Sequence, residues 1–136
     1  MAIYYKLVPR KKPGTTNVKW YGSAVNTGVV KIDQLAEEMS SESTVTRHDV
    51  LSVLSSLQQH IMRHLALGHS VRLGDLGSFH ASLYGYGSEQ KKDYSPSMLK
   101  GIRVHFRRSP YLKREISLAK VPIQNVSAIN LQPISE

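Results

Sequence analysis

The sequence contains no cysteine. That excludes a disulfide framework, thiol catalysis and cysteine-ligated metal sites, and it fits a reducing compartment. No stretch approaches the roughly 18 apolar residues that suggest a membrane-spanning helix. The opening "MAIYYKLVPRKK" turns basic too early, after too short an apolar run, to act as a signal peptide. A soluble, cytoplasmic protein without a membrane partner is therefore expected. There is no internal repeat and no low-complexity tract, and 136 residues suit one domain with tails. An apolar content of 40% supports a modest core supplemented by self-association.

Acidic residues are also missing from one part of the chain. Residues 1–30 carry five basic side chains, Lys6, Arg10, Lys11, Lys12 and Lys19, and no acid. Residues 31–82 carry four basic and six acidic residues, and residues 83–136 carry nine basic and four acidic. The net charge of +8 thus resides on the flanks of a nearly neutral centre. A polyanion-binding surface needs such an asymmetry, because neutralised phosphates release counterions. A basic surface kept for solubility has the same composition, so charge alone leaves both readings open.

Periodicity orders the chain. "IYYKLVP" (3–9) is rich in β-formers and reads as a strand that Pro9 ends, "RKKPGTTN" (10–17) as a loop, and "VKWYGSAV" (18–25) as a second strand. Ile32, Leu35, Ala36 and Met39 have the spacing of a helix face. In the next segment Thr46 stands where an N-cap belongs, Asp49 follows three residues later in a capping-box-like start, and Gly68 supplies a stop. Val50, Leu54, Leu57, Ile61 and Leu65 occupy one flank of this helix, and Leu51 and Val53 another. A helix that needs cover on two sides in so small a chain points to an intertwined dimer. "VRLGDLGSF" (71–79) then joins two alternating strand pieces through Gly74 and Gly77, and "SEQKKDYSPSMLKG" is a polar, basic arm or hairpin tip. "GIRVHFRRSP" returns as a strand with Ile102, Val104 and Phe106 on one face and Arg103, His105 and Arg107 on the other. Pro110 ends it, "YLKREISLAK" is a short helix, and the remaining residues show no periodicity.

Catalytic patterns are not found. "GDLGSF" has no Lys-Ser/Thr after its second glycine, and Gln90 stands where a dinucleotide fingerprint opened by Gly85 and Gly87 needs a third glycine. A Gly-x-Ser-x-Gly elbow is absent, so Gly74 and Gly77 read as a structural corner. His60 and His64 are four apart on the long helix, yet no Glu follows His60 and no carboxylate lies one turn away to complete a metal site. No acid is spaced to orient His105 as a general base. The expectation is a protein that is not an enzyme and has no cofactor, metal or small-molecule substrate. The basic strand is the chemical feature that remains. Arg103 and Arg107 share a face, Arg108 is adjacent, Lys91, Lys92 and Lys100 precede them, and Lys113 and Arg114 follow. A ribbon with apolar residues inward and arginines outward matches the width and sign of a nucleic-acid groove.

These segments in this order resemble the HU/IHF family of bacterial histone-like DNA-binding proteins. The most specific stretches are "LALGHSVRLGDLGSFHASL" and "IRVHFRRSPYLKREI", and the likeness covers residues 31–116 almost without gaps. The extension at 1–30, of short strands and a basic loop, looks like that of a longer branch. The resemblance implies an α+β intertwined homodimer with a helical body and a β-sheet saddle, extended by two β-ribbon arms (here about 84–101) that embrace the DNA minor groove. Minor-groove architectural binding is the handling of DNA general to that family. In the family a proline at each arm tip wedges between base pairs, and Pro96 falls at the matching position. The family's Arg-Asn-Pro is Tyr94-Ser95-Pro96 here, and "SLYGYGSEQ" replaces an arginine-rich ascending strand. Pro96 is thus a wedge, with Met98 or Leu99 beside it, or a turn proline. Residues 117–136 read as a tail.

The expected function is architectural, largely sequence-non-specific binding of double-stranded DNA, with bending or compaction, by a nucleoid-associated homodimer. Lys91, Lys92, Lys100, Arg103, Arg107 and Arg108 neutralise phosphate, and Arg72, Lys113, Arg114, Arg10, Lys11 and Lys12 extend the footprint. Gly74, Gly77 and Phe79 form the structural turn. Two alternatives use the same scaffold: a dimeric protein-interaction module, or a single-strand binder in which Tyr84, Tyr86 and Tyr94 stack on bases.

Overall fold

The structure, a computed structural model, describes residues 2–126. The part of the expected tail at 127–136 lies outside the described residues. The elements are β1 (Ile3–Lys11), β2 (Val18–Ala24), α1 (Ile32–Ser41), α2 (Arg47–Ala66), β3 (Val71–Leu73), β4 (Gly77–Gly85), β5 (Leu99–Arg108), α3 (Pro110–Glu115) and β6 (Ile123–Asn125). Mixed α and β structure is thus established. The chain divides into two compact units, one of residues up to Leu35 and from Glu115 onward, the other of Ala36–Arg114.

In the first unit β1 pairs antiparallel with β2 and parallel with β6, in the order β2-β1-β6. The connecting turn has Pro13 followed by Gly14 at φ 78°, and the Thr15 N–H donates to the Lys12 carbonyl at 3.1 Å. Proline then a left-handed glycine is the chemistry of a type II turn. Pro9 does not end β1, contrary to the sequence expectation. The reason is positional: β6 covers β1 only at Ile3–Tyr5, so at Pro9 the strand has one neighbour and a missing N–H is tolerated. Three residues without periodicity, Ile123–Asn125, become β6 only because β1 offers them a ladder; the Ile3 N–H also donates to the Pro122 carbonyl at 2.9 Å.

In the second unit α2 is capped at both ends. The Thr46 hydroxyl donates to the Asp49 carboxylate at 2.7 Å, and its oxygen accepts from the Asp49 N–H at 3.2 Å. Thr46 is thus the N-cap read from the sequence, and the Asp49 carboxylate accepts from the Thr46 hydroxyl rather than from its backbone N–H as in a capping box. At the other end Gly68 adopts φ 81°, its N–H reaches the Leu65 carbonyl, and the His69 N–H reaches the His64 carbonyl, each at 3.0 Å. Those two bonds make a Schellman motif, which satisfies carbonyls that a helix end leaves open. His64 and His69 occupy the two positions whose side chains meet across this motif, and their Nδ1 atoms lie 3.0 Å apart. The strands of this unit run β3-β4-β5, all antiparallel. α3 starts at Pro110, which suits the first helical position because it needs no N–H there. It ends at Glu115, before the expected limit, and the chain turns at Ser117, whose carbonyl accepts from the Lys120 and Val121 N–H groups.

Little apolar surface is covered. Among the described residues only Ala36 and Val50 are buried hydrophobics, while Ile102 and Val53 are each 67% exposed and Leu83 62%. Because α2 depends on its glycine stop, Gly68→Ala should lower unfolding free energy by about 1–2 kcal/mol, the cost of placing a Cβ in the left-handed region. Urea denaturation of the variant against the native chain measures it.

Candidate nucleic-acid interface

Strand register decides which side chains meet. Leu73 pairs with Gly77 across a turn in which the Leu76 N–H donates to the Leu73 carbonyl at 3.0 Å and Gly74 takes φ 50°. The glycine corner is therefore a tight hairpin between β3 and β4. Gly77 has a second reason to be glycine: a Cβ there would meet the Arg107 carbonyl and the Phe106 ring. From this corner β4 runs beside β5 with Ser78 opposite Arg107, His80 opposite His105, Ser82 opposite Arg103 and Tyr84 opposite Gly101. Phe79–Phe106, Ala81–Val104 and Leu83–Ile102 alternate with them on the other face. The Phe79 and Phe106 rings pack at 5.1 Å between centroids. β3 adds Arg72 beside Ser78, so Arg72, Ser78 and Arg107 form one row across three strands.

The polar face is organised by stacking. The His80 and His105 rings stack at 5.2 Å, and Ser82 Oγ lies 2.7 Å from His105 Nε2. The Arg103 guanidinium sits 4.3 Å from the Tyr84 ring centroid, and Lys100 Nζ sits 4.3 Å from that of Tyr86. Gly101 makes the first contact possible, since a Cβ at that position would lie 2.7 Å from the Tyr84 hydroxyl. A guanidinium stacked on a ring keeps its N–H donors at the edge, directed to the surroundings and suited to phosphate. Sequence reasoning noted Tyr84 and Tyr86 only as stacking platforms and missed this pairing. The signal was present in the alternation Ser78, His80, Ser82, Tyr84 opposite a strand that carries Lys100 and Arg103.

A second grouping lies at the foot of the sheet. Ser109 caps α3, its oxygen accepting from the Leu112 N–H at 3.0 Å; its own N–H donates to the Leu76 carbonyl at 2.9 Å and its hydroxyl to that of Asp75. One serine thus ties the β3–β4 corner to the end of β5 and the start of α3, a role that sequence reasoning did not assign. Around it Arg72, Arg107, Arg108, Lys113 and Arg114 line an open concavity of about 970 Å³ with Asp75 as the one carboxylate among the described residues. Arg108 pairs with Gly77 and has the opposite strand parity from Arg103 and Arg107, yet it lines this same concavity.

The remaining candidates lie elsewhere. The Tyr86 N–H donates to the Met98 carbonyl at 2.9 Å and closes the β4–β5 hairpin. Beyond it come two short 3-10 turns, Lys91–Asp93 and Pro96–Met98. Lys91 and Lys92 are in the first. Pro96 opens the second, where Ser95 Oγ accepts from the Ser97 N–H at 3.4 Å. Arg10, Lys11 and Lys12 belong to the other compact unit. Among the described residues no three His, Asp or Glu side chains gather as metal ligands, and no helix is long and apolar enough to cross a membrane. His60 Nδ1 accepts from the Arg63 guanidinium at 3.0 Å, while His64 is engaged with His69 in the helix cap.

A family model described as an HU domain fused to a wHTH, Ig or glycine-rich motif matches residues 1–122. The chain belongs to this family, HU-HIG. The HU-like likeness read from the corner and the basic strand is thereby established, and the match includes the N-terminal β1–β2 hairpin. A solved structure from Bacteroides vulgatus ATCC 8482, provisionally described as a bacterial DNA-binding protein, matches the HU-HIG chain with a TM-score of 0.66 at 15% identity. The alignment covers 92% of this chain and 48% of that one, so this chain spans about half its length. At that identity the likeness speaks for the fold alone. No curated protein matches the chain.

Proposed function

We propose that this HU-HIG chain binds double-stranded DNA without enzymatic action, as a homodimer that bends or compacts the duplex with little sequence preference. The observation that carries the reading is the division of the β4–β5 ladder into a face with Arg103, His105 and Arg107 and a face with Ile102, Val104 and Phe106. The first supplies cations for phosphate, with Arg72, Lys100, Arg108, Lys113 and Arg114 around it and Lys91 and Lys92 in the hairpin loop. Phosphate contacts fix position and carry no sequence information directly. Asn and Gln, the side chains suited to adenine, do not occur among the residues paired on this face. The Tyr84 and Tyr86 rings are each covered by a cation, which favours a duplex backbone over stacked single-stranded bases.

The apolar face carries the dimer. Leu83, Ile102, Val104 and Phe106 are 62, 67, 57 and 49% exposed in one chain. Fully burying such a side chain is worth about 1.5–3 kcal/mol, so covering what remains exposed favours association. On this reading residues 31–116 form the DNA-binding domain and the β4–β5 hairpin is its arm, about 84–101. Two such arms extend from a shared saddle over an intertwined helical body and reach the minor groove. Pro96, with Met98 or Leu99, enters a base step there, and the unstacking it requires is offset by contacts along the bent duplex. A nucleoid-associated, cytoplasmic protein follows from such an activity.

Titrating a random duplex at several salt concentrations tests the cationic face. Arg103→Gln with Arg107→Gln should reduce the slope of log K against log salt by about 1.8, at roughly 0.9 for each phosphate no longer neutralised; an unchanged slope rules the face out. With a bend-reporting fluorophore pair on the duplex, Pro96→Ala should lower the bend more than the affinity, and an unchanged bend leaves Pro96 a turn residue. Ile102→Asp should shift the protein from dimer to monomer in analytical ultracentrifugation.

A further inference from the structure

The N-terminal unit carries a charged surface of its own. In the β1–β2 ladder Lys6 pairs with Ser23, Val8 with Tyr21 and Arg10 with Lys19, all of one strand parity. Tyr5, Leu7, Pro9, Trp20 and Ala24 have the other. Arg10 and Lys19 are therefore directly opposed like charges, an arrangement that weakens a ladder. Opposite charge is not at hand in the local sequence, because residues 1–30 contain no Asp or Glu. The Arg10 guanidinium lies 5.7 Å from the Tyr21 ring centroid. Together Arg10, Lys11, Lys12, Lys19 and Tyr21, with the polar Thr15 and Asn17, line an open concavity in which no carboxylate stands among the described residues.

A like-charge pair facing no carboxylate among the described residues marks a place where an external anion can compensate it. We propose that this concavity binds the phosphate backbone of nucleic acid, as a second contact additional to the β3–β4–β5 face. A single phosphate does not account for the layout. Lys6 shares the parity of Arg10 and stands four residues earlier in β1, about 13 Å along the strand at roughly 3.3 Å per residue. A duplex presents one charge per 1.7 Å or so of axis and meets cations spread over that length. The Pro13–Gly14 turn holds Lys12 beside the ladder in one backbone geometry, which limits the ordering that binding requires. The contact is independent of the one assigned to β5, since no residue is shared.

The experiment uses the full chain and a fluorescein-labelled random duplex. Arg10→Gln with Lys19→Gln should reduce the salt slope by about 1.8, both in the native background and in the Arg103→Gln, Arg107→Gln background. The charge-preserving pair Arg10→Lys and Lys19→Arg should keep the native slope. Trp20, the one tryptophan of the sequence, lies in β2 and reports through its emission whether the hairpin is intact. If that emission changes, Lys12→Gln, in the turn and outside both strands, replaces the pair and should lower the slope by about 0.9. An unchanged slope with an intact hairpin overturns the proposal, as does capture by phosphatidylglycerol vesicles without any change in duplex binding. A silent Arg103/Arg107 pair combined with an effect at Arg10 and Lys19 removes the β5 face and leaves this contact standing; the reverse pattern does the opposite.

Discussion

The antiparallel pairing of β4 with β5 is the interaction on which the rest of the second unit depends. Its register, Gly77 with Arg108 through Leu83 with Ile102, assigns the side chains of this stretch to one of two faces, and the pairing shifts between Tyr84 and Gly85. Because the side-chain period is two, a slip of one residue would put arginines on the apolar side and Phe106 and Ile102 among the cations. The register is held at the corner end by Gly77, where only a hydrogen fits against the Arg107 carbonyl, and by Ser109, which ties the corner to the adjoining C-terminal end of β5. At the loop end the bond from Tyr86 to Met98 closes the ladder. Side-chain chemistry and backbone geometry thus specify the same pairing, which is what makes a register unique.

A second constraint follows from how little the chain covers by itself. Among the described residues only Ala36 and Val50 are buried hydrophobics, and most other apolar side chains are half-buried or exposed. The two-flanked apolar pattern of α2 and the exposed apolar face of β5 are the surfaces that the proposed dimer would cover. The polar face is stabilised differently, by ring stacking and cation–π contacts that hold positive side chains ready without neutralising them. An ion pair to each arginine would have used up the charge that the proposed DNA contact needs.

Parts of this organisation were legible residue by residue. Thr46 and Asp49 announced the start of α2 and Gly68 its end, because capping is local and needs only a few neighbouring residues. The alternation from Ile102 to Arg107 gave the two faces of β5 for the same reason. Pro9 misled, since proline ends a strand only where a neighbour needs its N–H, and the number of neighbours is a tertiary property. The stacking of Arg103 on Tyr84 escaped notice because it depends on register and on the space that Gly101 leaves across the ladder.

What the sequence determined by itself is therefore what lies within a helical turn or a strand period: the caps, the faces, the glycine corner and the uneven distribution of charge. Its HU-like corner and basic strand were legible for that reason too. Tertiary structure alone decided the register between strands, that Ile123–Asn125 joins β1, that Ser109 bonds to the corner, and that Arg10 confronts Lys19. Those outcomes depend on segments distant in the chain meeting in one register, and no local preference encodes that meeting.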